Sequence, residues 1–247
     1  MQPVSTDDAQ AAATSRAYVV RRSDRARRSR LTLTEAGGVL VVLPRRAPLD
    51  EAARLVAHHG AWIDRHVARV EEERARLAGR PPLGEGRILA VDGVPRRVST
   101  VDGVVARPAR GRVETNAGGI IVRPGWDGRD ARDLLERWLR DEARRVVGAR
   151  VQARAAELRV QPRRIAIRDQ SSRWASASAK ATLSFSWRLI LAPPYVLDAV
   201  VVHELAHLRV RGHSPAFWSL VAGHAPRTAE ARRWLREHAR EVRAALD

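Results

Sequence analysis

The chain has 247 residues, of which 45% are hydrophobic, and its formal net charge is +17. A chain of this length can bury a full core as one large domain or two small ones, and the absence of cysteine excludes disulfides and cysteine-bound zinc. No apolar run approaches the roughly 20 residues that span a bilayer, and the first residues lack the basic and apolar regions of a signal peptide. We therefore expect a cytoplasmic protein without a membrane partner.

The excess positive charge is carried almost entirely by arginine, since Lys180 is the only lysine. A strongly basic chain favours polyanionic partners such as nucleic acid or nucleotides. Most arginines alternate with aspartate and glutamate, however, and this pattern indicates a solvated surface of ion pairs. Both interpretations of the charge stay open at this point.

The first half of the chain is predicted to be rich in strands. Residues 1–15 are polar and rich in alanine, which predicts a disordered tail. Strands are predicted over residues 17–43, where Leu31–Leu33 and Val39–Leu43 form a hairpin around a pair of glycines. The run from Arg21 to Arg30 is either a strand edge protected by charge or an anion-binding surface.

A helix is predicted from Pro48 to about Leu77, and alternating residues with glycine turns predict a β-meander over 87–124. The proline and glycines of Pro124–Gly128 predict a break in the secondary structure after this meander. We therefore expect an N-terminal β-rich region over 16–127 that contains one long helix.

The second half is predicted to be mostly helical. Its expected elements are a long helix over 129–159, strands at 164–168 and 181–191 in a small antiparallel sheet, a helix after Pro193-Pro194, a short helix from Pro215 and a last helix from about 227 to 246. Residues 128–247 would form a second domain, and the fold class would be α+β.

The helix after Pro193-Pro194 carries the motif H-E-x-x-H at His203, Glu204 and His207. Residues four apart lie on one helix face, so both imidazoles can bind one metal ion, with Glu204 beside it. Gly212 can end the helix and return His213 to the same ion. The spacing to His213 agrees with the longer motif H-E-x-x-H-x-x-G-x-x-H, although Val210 stands where that motif has glycine.

This pattern predicts one Zn²⁺ per chain, held by His203, His207 and His213, because catalytic zinc has three protein ligands and an open position. Zinc would lower the pKa of a bound water, and Glu204 would act as general base in the cleavage of a protein or peptide. We predict that strand 181–191 binds an extended peptide by edge pairing. Candidate substrate-binding residues are Trp174 and Trp187, which would line the cleft, and Arg173, Tyr195 and Arg188, which would stabilise the oxyanion.

Several segments resemble the YgjP-like metallopeptidase family, which is related to SprT-like and WLM proteases in the zincin group. They are the basic run at 21–28, Val-Leu-Pro-Arg-Arg at 42–46, Ala-Trp-Ile at 61–63, Ser-Arg-Trp-Ala-Ser-Ala-Ser at 172–178, Trp-Arg-Leu-Ile-Leu-Ala-Pro at 187–193 and His-Glu-Leu-Ala-His…His-Ser-Pro-Ala-Phe-Trp at 203–218.

The resemblance implies a zincin-like domain over 128–247, zinc on the three histidines and Glu204 as catalytic base. It also implies that the strand before the motif helix lies beside the cleft. The family usually has Trp-Gly-Ser-Cys-Ser where this chain has alanine at 175 and 177, which puts the shape of that loop in question.

Two other functions compete with the peptidase. A metal-dependent nucleoside triphosphate pyrophosphatase could use the same site, with arginines on the phosphates, but the chain has no glycine-rich phosphate loop. A DNA-associated protease would fit the positive charge by analogy with the SprT-like and WLM groups. A nucleic-acid-binding protein with structural zinc would also fit, but structural sites usually have four ligands.

Overall fold

A computed structural model describes residues 16–34, 38–101, 108–170 and 173–247. The predicted tail at 1–15 lies outside these residues. The chain divides into two compact units, Met1–Arg80 and Pro81–Asp247. The domain boundary predicted between residues 127 and 128 therefore lies inside the second unit.

The described residues of the first unit form a three-stranded sheet and two helices. Its strands follow the order β1-β3-β2, in which β1 is parallel to β3 and β2 pairs with β3 as the predicted antiparallel hairpin. Because β3 is central and packed against a helix, it is an almost continuous apolar run. Its elements are β1 (Tyr18–Ser23), β2 (Arg30–Leu33), β3 (Val39–Pro44), α1 (Asp50–His58) and α2 (Gly60–Ala78).

The helix predicted from Pro48 to about Leu77 is two helices, because the backbone leaves helical geometry at His59, with φ −97° and ψ 13°. Ala52 and Val56 of α1 and Ile63 of α2 are fully buried against the sheet. The break thus lets both helices cover the same core.

The second unit begins with a four-stranded sheet in the order β4-β5-β7-β6. The β-meander prediction is wrong, because β7 pairs in parallel with β5 and β6 lies at the edge. Alternate residues such as Val98, Ile120 and Val122 are buried in one core with the following helix. The strands are β4 (Glu85–Val91), β5 (Val94–Thr100), β6 (Arg112–Asn116) and β7 (Gly119–Arg123).

A long helix and a second sheet follow, and both contact the helix that carries the motif. The second sheet has the order β8-β10-β9, with β8 parallel and β9 antiparallel to β10. The remaining elements are α3 (Ala131–Leu158), β8 (Arg164–Arg168), β9 (Ala175–Ala177), β10 (Thr182–Ser186), the 3₁₀ helix Trp187–Leu191, α4 (Pro194–Ala206), α5 (Pro215–His224) and α6 (Thr228–Arg243).

The α+β class holds, but the description of a mostly helical second half with a small antiparallel sheet is wrong. The described residues form six α-helices and three sheets of three or four strands. The first sheet of the second unit shares its core with α3 and α4, and the other sheet is mixed, not antiparallel. The predicted strand 181–191 turns into a 3₁₀ helix at Trp187 because the chain must reverse into α4.

Helix α4 lies at the centre of this unit. It is apolar on nearly all sides and buries Val196, Leu197, Val201, Val202 and Leu205, as expected of a helix surrounded by other elements. Arg154 of α3 holds it in place through two hydrogen bonds to the Asp198 carboxylate, 2.8 and 2.6 Å long. No helix among the described residues is long and apolar enough to cross a membrane.

Candidate metal centre

The end of α4 and the turn after it bring three histidines together. His203 lies on the last turn, His207 caps the helix, and the chain turns back at Gly212, where φ is +75°. This left-handed conformation favours glycine. One ring nitrogen from each of His203, His207 and His213 lies within 4.8 Å of the others, and the Nε2 atoms of His203 and His213 are 3.2 Å apart.

Two aromatic side chains of α5 support the imidazoles. The fully buried ring of Phe217 contacts all three histidines, with centroid distances between 4.5 and 5.0 Å. Trp218 stacks on His213 at 5.5 Å. Their position follows from the start of α5, where Ser214 accepts a hydrogen bond from the Phe217 amide and Pro215 begins the helix.

The environment of His203 and His207 favours their neutral forms. Burial is the main cause that lowers the pKa of His203 to about 4, and the neighbouring imidazoles and Arg232 lower it further. Burial and His213 also lower the pKa of His207, while a hydrogen bond to the Val210 backbone opposes this shift. Neutral imidazoles keep the free lone pair that a metal ligand needs, and a backbone partner on the other nitrogen orients the ring.

Glu204 is a buried carboxyl group next to these ligands, with 7% of its surface exposed. Burial raises its pKa to about 7, against the opposing effects of a hydrogen bond from the Ala177 amide and the charge of Arg173. A carboxyl group that titrates near neutral pH can both accept and return a proton.

The structure brings only part of the predicted substrate-binding set to this site. Arg173 is exposed, and its charge acts on Glu204. Trp174 is half-buried, lies under Arg243 at 5.3 Å, and immediately precedes β9. Both therefore lie near the strand that contacts Glu204.

The other predicted substrate-binding residues are buried or make their contacts within the fold. Trp187 is 0% exposed, so its ring offers no surface to a substrate. Tyr195 lies in the first turn of α4, roughly 12 Å along the helix from His203, with Arg227 3.6 Å over its ring and its hydroxyl bonded to Glu230. Arg188 pairs with Asp169 and donates to the Arg243 carbonyl.

The prediction that strand 181–191 pairs with a peptide is corrected by the sheet order. β10 is the central strand, paired on both sides, and has no free edge. β9 is the edge strand. Hydrogen bonds between Ser178 and Thr182 and between Ser186 and Trp174 join it to β10, so the amides and carbonyls of Ala175 and Ala177 point to the opposite side.

Sequence reasoning missed three contributors to the site, namely Phe217, Trp218 and the Ala177 amide. The first two were predicted only as apolar positions of a short helix. The available signal was that α5 begins directly after His213 with a serine cap and proline, which places residues four and five positions later one turn away. No local pattern predicts the Ala177 contact, because it depends on how β9 packs beside α4.

Three histidines that could hold a metal ion on an H-E-x-x-H helix, beside a buried glutamate whose pKa is raised to about 7, are the arrangement typical of a metallohydrolase. The family comparison agrees with this class. The chain belongs to the YgjP-like family, whose metallopeptidase-domain model matches residues 27–238, which confirms the resemblance. No curated protein and no solved structure matches the chain.

Proposed function

We propose that the protein is a zinc-dependent endopeptidase in which His203, His207 and His213 hold one Zn²⁺ and Glu204 is the general base. The observation that carries this proposal is the set of three imidazole nitrogens within 4.8 Å of one another beside a buried glutamate. The family supports peptidase chemistry.

The donor set fits zinc. Nitrogen ligands about 2.0–2.1 Å from a tetrahedral ion lie roughly 3.3 Å from each other, and the Nε2 atoms of His203 and His213 are 3.2 Å apart. Three protein ligands are typical of a catalytic site with one open position. Zinc bound there would supply a Lewis acid for the scissile carbonyl and a water that is acidic enough to react near neutral pH.

Glu204 would move the proton. Its carboxylate would accept a proton from the attacking water and then donate it to the leaving amine. Burial supports this role because it keeps the pKa near the working pH, and the Ala177 amide fixes the orientation of the carboxylate. Arg173 is the candidate to stabilise negative charge beside Glu204.

The free edge of β9 favours a peptide as substrate. On this side the Ala177 amide donates to Glu204, and the other main-chain groups of Ala175 and Ala177 make no bond to β10. An extended peptide that paired with this edge would pass the glutamate with its carbonyls in reach. The side chains of Ala175 and Ala177 pack against the core. Ala175 stands where the family usually has glycine, but its methyl group therefore does not cover this edge.

The first test is zinc per chain, measured by elemental analysis. We expect about one zinc in the parent protein and loss of zinc from His207→Ala and His213→Ala. His224→Ala is the matched control, because His224 lies at the end of α5 and outside the triad, and it should retain the metal. Zinc that persists in His213→Ala would refute the three-histidine site.

The second test is hydrolysis of unfolded casein and of UTP by the zinc-loaded protein. We expect cleavage of casein, loss of that cleavage in Glu204→Gln, and no Glu204-dependent release of pyrophosphate. Pyrophosphate release that requires Glu204, without casein cleavage, would replace the peptidase by the phosphohydrolase. The DNA-associated role and the cytoplasmic location stay predictions.

A further inference from the structure

We propose that a second cleft of the Pro81–Asp247 unit binds a nucleotide, either free or as one unit of a single-stranded nucleic acid. The cleft has a volume of about 520 Å³ and shares no lining residue with the metal centre. It lies between the start of β6, the segment before α3, and the first turns of α3. Ligand sites of drug-sized molecules have volumes of this order.

The cleft carries an excess of positive charge. Four arginines line it, at positions 110, 112, 129 and 137, together with Asp127 and Asp141. Both acids already have partners, since Asp127 pairs with Arg129 at 3.8 Å and Asp141 pairs with Arg144.

Arg110 and Arg137 are exposed and make no ion pair with any described residue. Arg112 pairs with Glu114 through Nε at 2.6 Å, which leaves its terminal nitrogens available. Guanidinium groups bind phosphate through paired hydrogen bonds, so these arginines define the anionic half of the ligand.

An apolar wall defines the other half. Trp138, Leu134 and Val113 line the same cleft, and Trp138 is half-buried against the core. A tryptophan ring can stack on any nucleobase, and this contact is sequence-tolerant. A phosphate group joined to a flat ring system matches both halves of the cleft, and a nucleotide has this chemistry.

The floor of the cleft is closely packed. A Cβ added at Gly125 would lie 2.2 Å from the amide nitrogen of Gly111, and a Cβ at Gly111 would lie 2.6 Å from Leu134. The Trp126 amide donates to the Pro108 carbonyl at 3.1 Å. The two backbone segments therefore pack directly on each other, and this holds Arg110 and Arg112 opposite α3.

The test is binding of ATP, sodium pyrophosphate and fluorescein-labelled dT10 to the full-length protein, measured by calorimetry and fluorescence anisotropy. We expect the double variant Arg110→Ala/Arg137→Ala to lose at least tenfold in affinity for the nucleotide ligand. The matched control is Arg163→Ala/Arg164→Ala, which removes two exposed arginines of the same unit outside the cleft and should change affinity less than twofold.

Substitutions at Trp138 test whether the cleft binds a nucleobase. Trp138→Leu should reduce nucleotide affinity towards that of pyrophosphate, and Trp138→Phe, which keeps an aromatic ring, should restore it. Saturable ATP binding would identify a free nucleotide as the ligand. Binding of dT10 alone would identify a single strand as the ligand. Removal of the two arginines should then reduce the slope of log K against log salt concentration by about 1.4.

Three outcomes would overturn the proposal: no binding of ATP or dT10, equal losses in the cleft and control double variants, or pyrophosphate binding as tight as that of ATP. Thermal melting confirms that each variant is folded, and both arginines are exposed, so their removal leaves the core intact. Glu204→Gln should bind these ligands as the parent does, which separates this proposal from the peptidase proposal.

Discussion

At the scale of single residues, the proposed role of Glu204 as general base places two opposing requirements on its carboxyl group. A general base must be ionised in part, while burial favours the neutral form. The balance leaves its pKa at about 7, compared with the ordinary glutamate value of 4.5. The metal-free fold must therefore be less stable at alkaline pH because of this one group.

Glu204→Gln should stabilise the metal-free protein above pH 7. Between pH 4.5 and 7 the folded state keeps a proton that the unfolded state loses, so stability falls as pH rises through this window. The difference between variant and parent should be near zero at pH 4.5 and on the order of 3 kcal/mol above pH 7. Urea unfolding with chelator measures it. A difference that does not depend on pH would contradict the raised pKa.

The convergence of the three histidines was predictable because their geometry is local. His203 and His207 are one helical turn apart, and Gly212 permits the return of His213. Trp187 could not be assigned in this way, since an aromatic residue after an alternating run suits a cleft and a core equally well. Its complete burial is decided by the 3₁₀ turn between β10 and α4.

At the scale of elements, strand β9 connects the second sheet to the metal centre. Its main-chain groups point alternately to β10 and to the outer edge of the sheet, where the Ala177 amide donates to Glu204. The position of this strand therefore favours the ionised form of Glu204, against the larger effect of burial.

Ala177→Pro should shift the acidic limb of the pH profile of kcat/KM to higher pH by about one to two units. Proline removes the amide that stabilises the carboxylate, and such a bond is worth about 1.5–3 kcal/mol. The bonds to β10 are kept, because Ala177 lies between the bonded positions. Assays on an unfolded peptide across pH 5–9 measure the shift.

Ala177→Ser keeps the amide and should leave the limb in place. Ser176→Pro removes an amide on the side of β10 and should instead lower the melting temperature. An unmoved limb in Ala177→Pro would mean that the amide does not set the pKa of Glu204.

Periodicity predicted most elements in their place, including β8, α3 and the β2–β3 hairpin. It did not predict which strands that are not consecutive in sequence are neighbours. The parallel pairs β5 with β7 and β8 with β10 join strands separated by a crossover. Such pairings are decided by burial against helices that are distant in sequence.

At the scale of the whole molecule, the two units have separate hydrophobic cores, and the three histidines of the candidate metal centre all lie in the second. Six of the seven tryptophans also belong to the second unit, while Trp62 belongs to the first. Tryptophan fluorescence therefore reports mainly on the unit that would bind zinc.

Zinc at 100 times its Kd should raise the unfolding free energy of the second unit by about 2.7 kcal/mol. A thermal melt followed by tryptophan fluorescence, with and without chelator, measures the effect. Trp62→Phe should leave the shift unchanged, and His207→Ala should abolish it. A shift that survives in His207→Ala would show zinc binding elsewhere on the chain.

The short length of β9 limits which proteins the proposed peptidase could cleave. Three residues of backbone edge can engage only a few residues of a partner, and the small side chains of Ala175 and Ala177 face the core. Such an edge recognises whether a backbone is available, not which side chains it carries. Native proteins hold their amides and carbonyls in their own helices and sheets, so their folded state would itself protect them from cleavage.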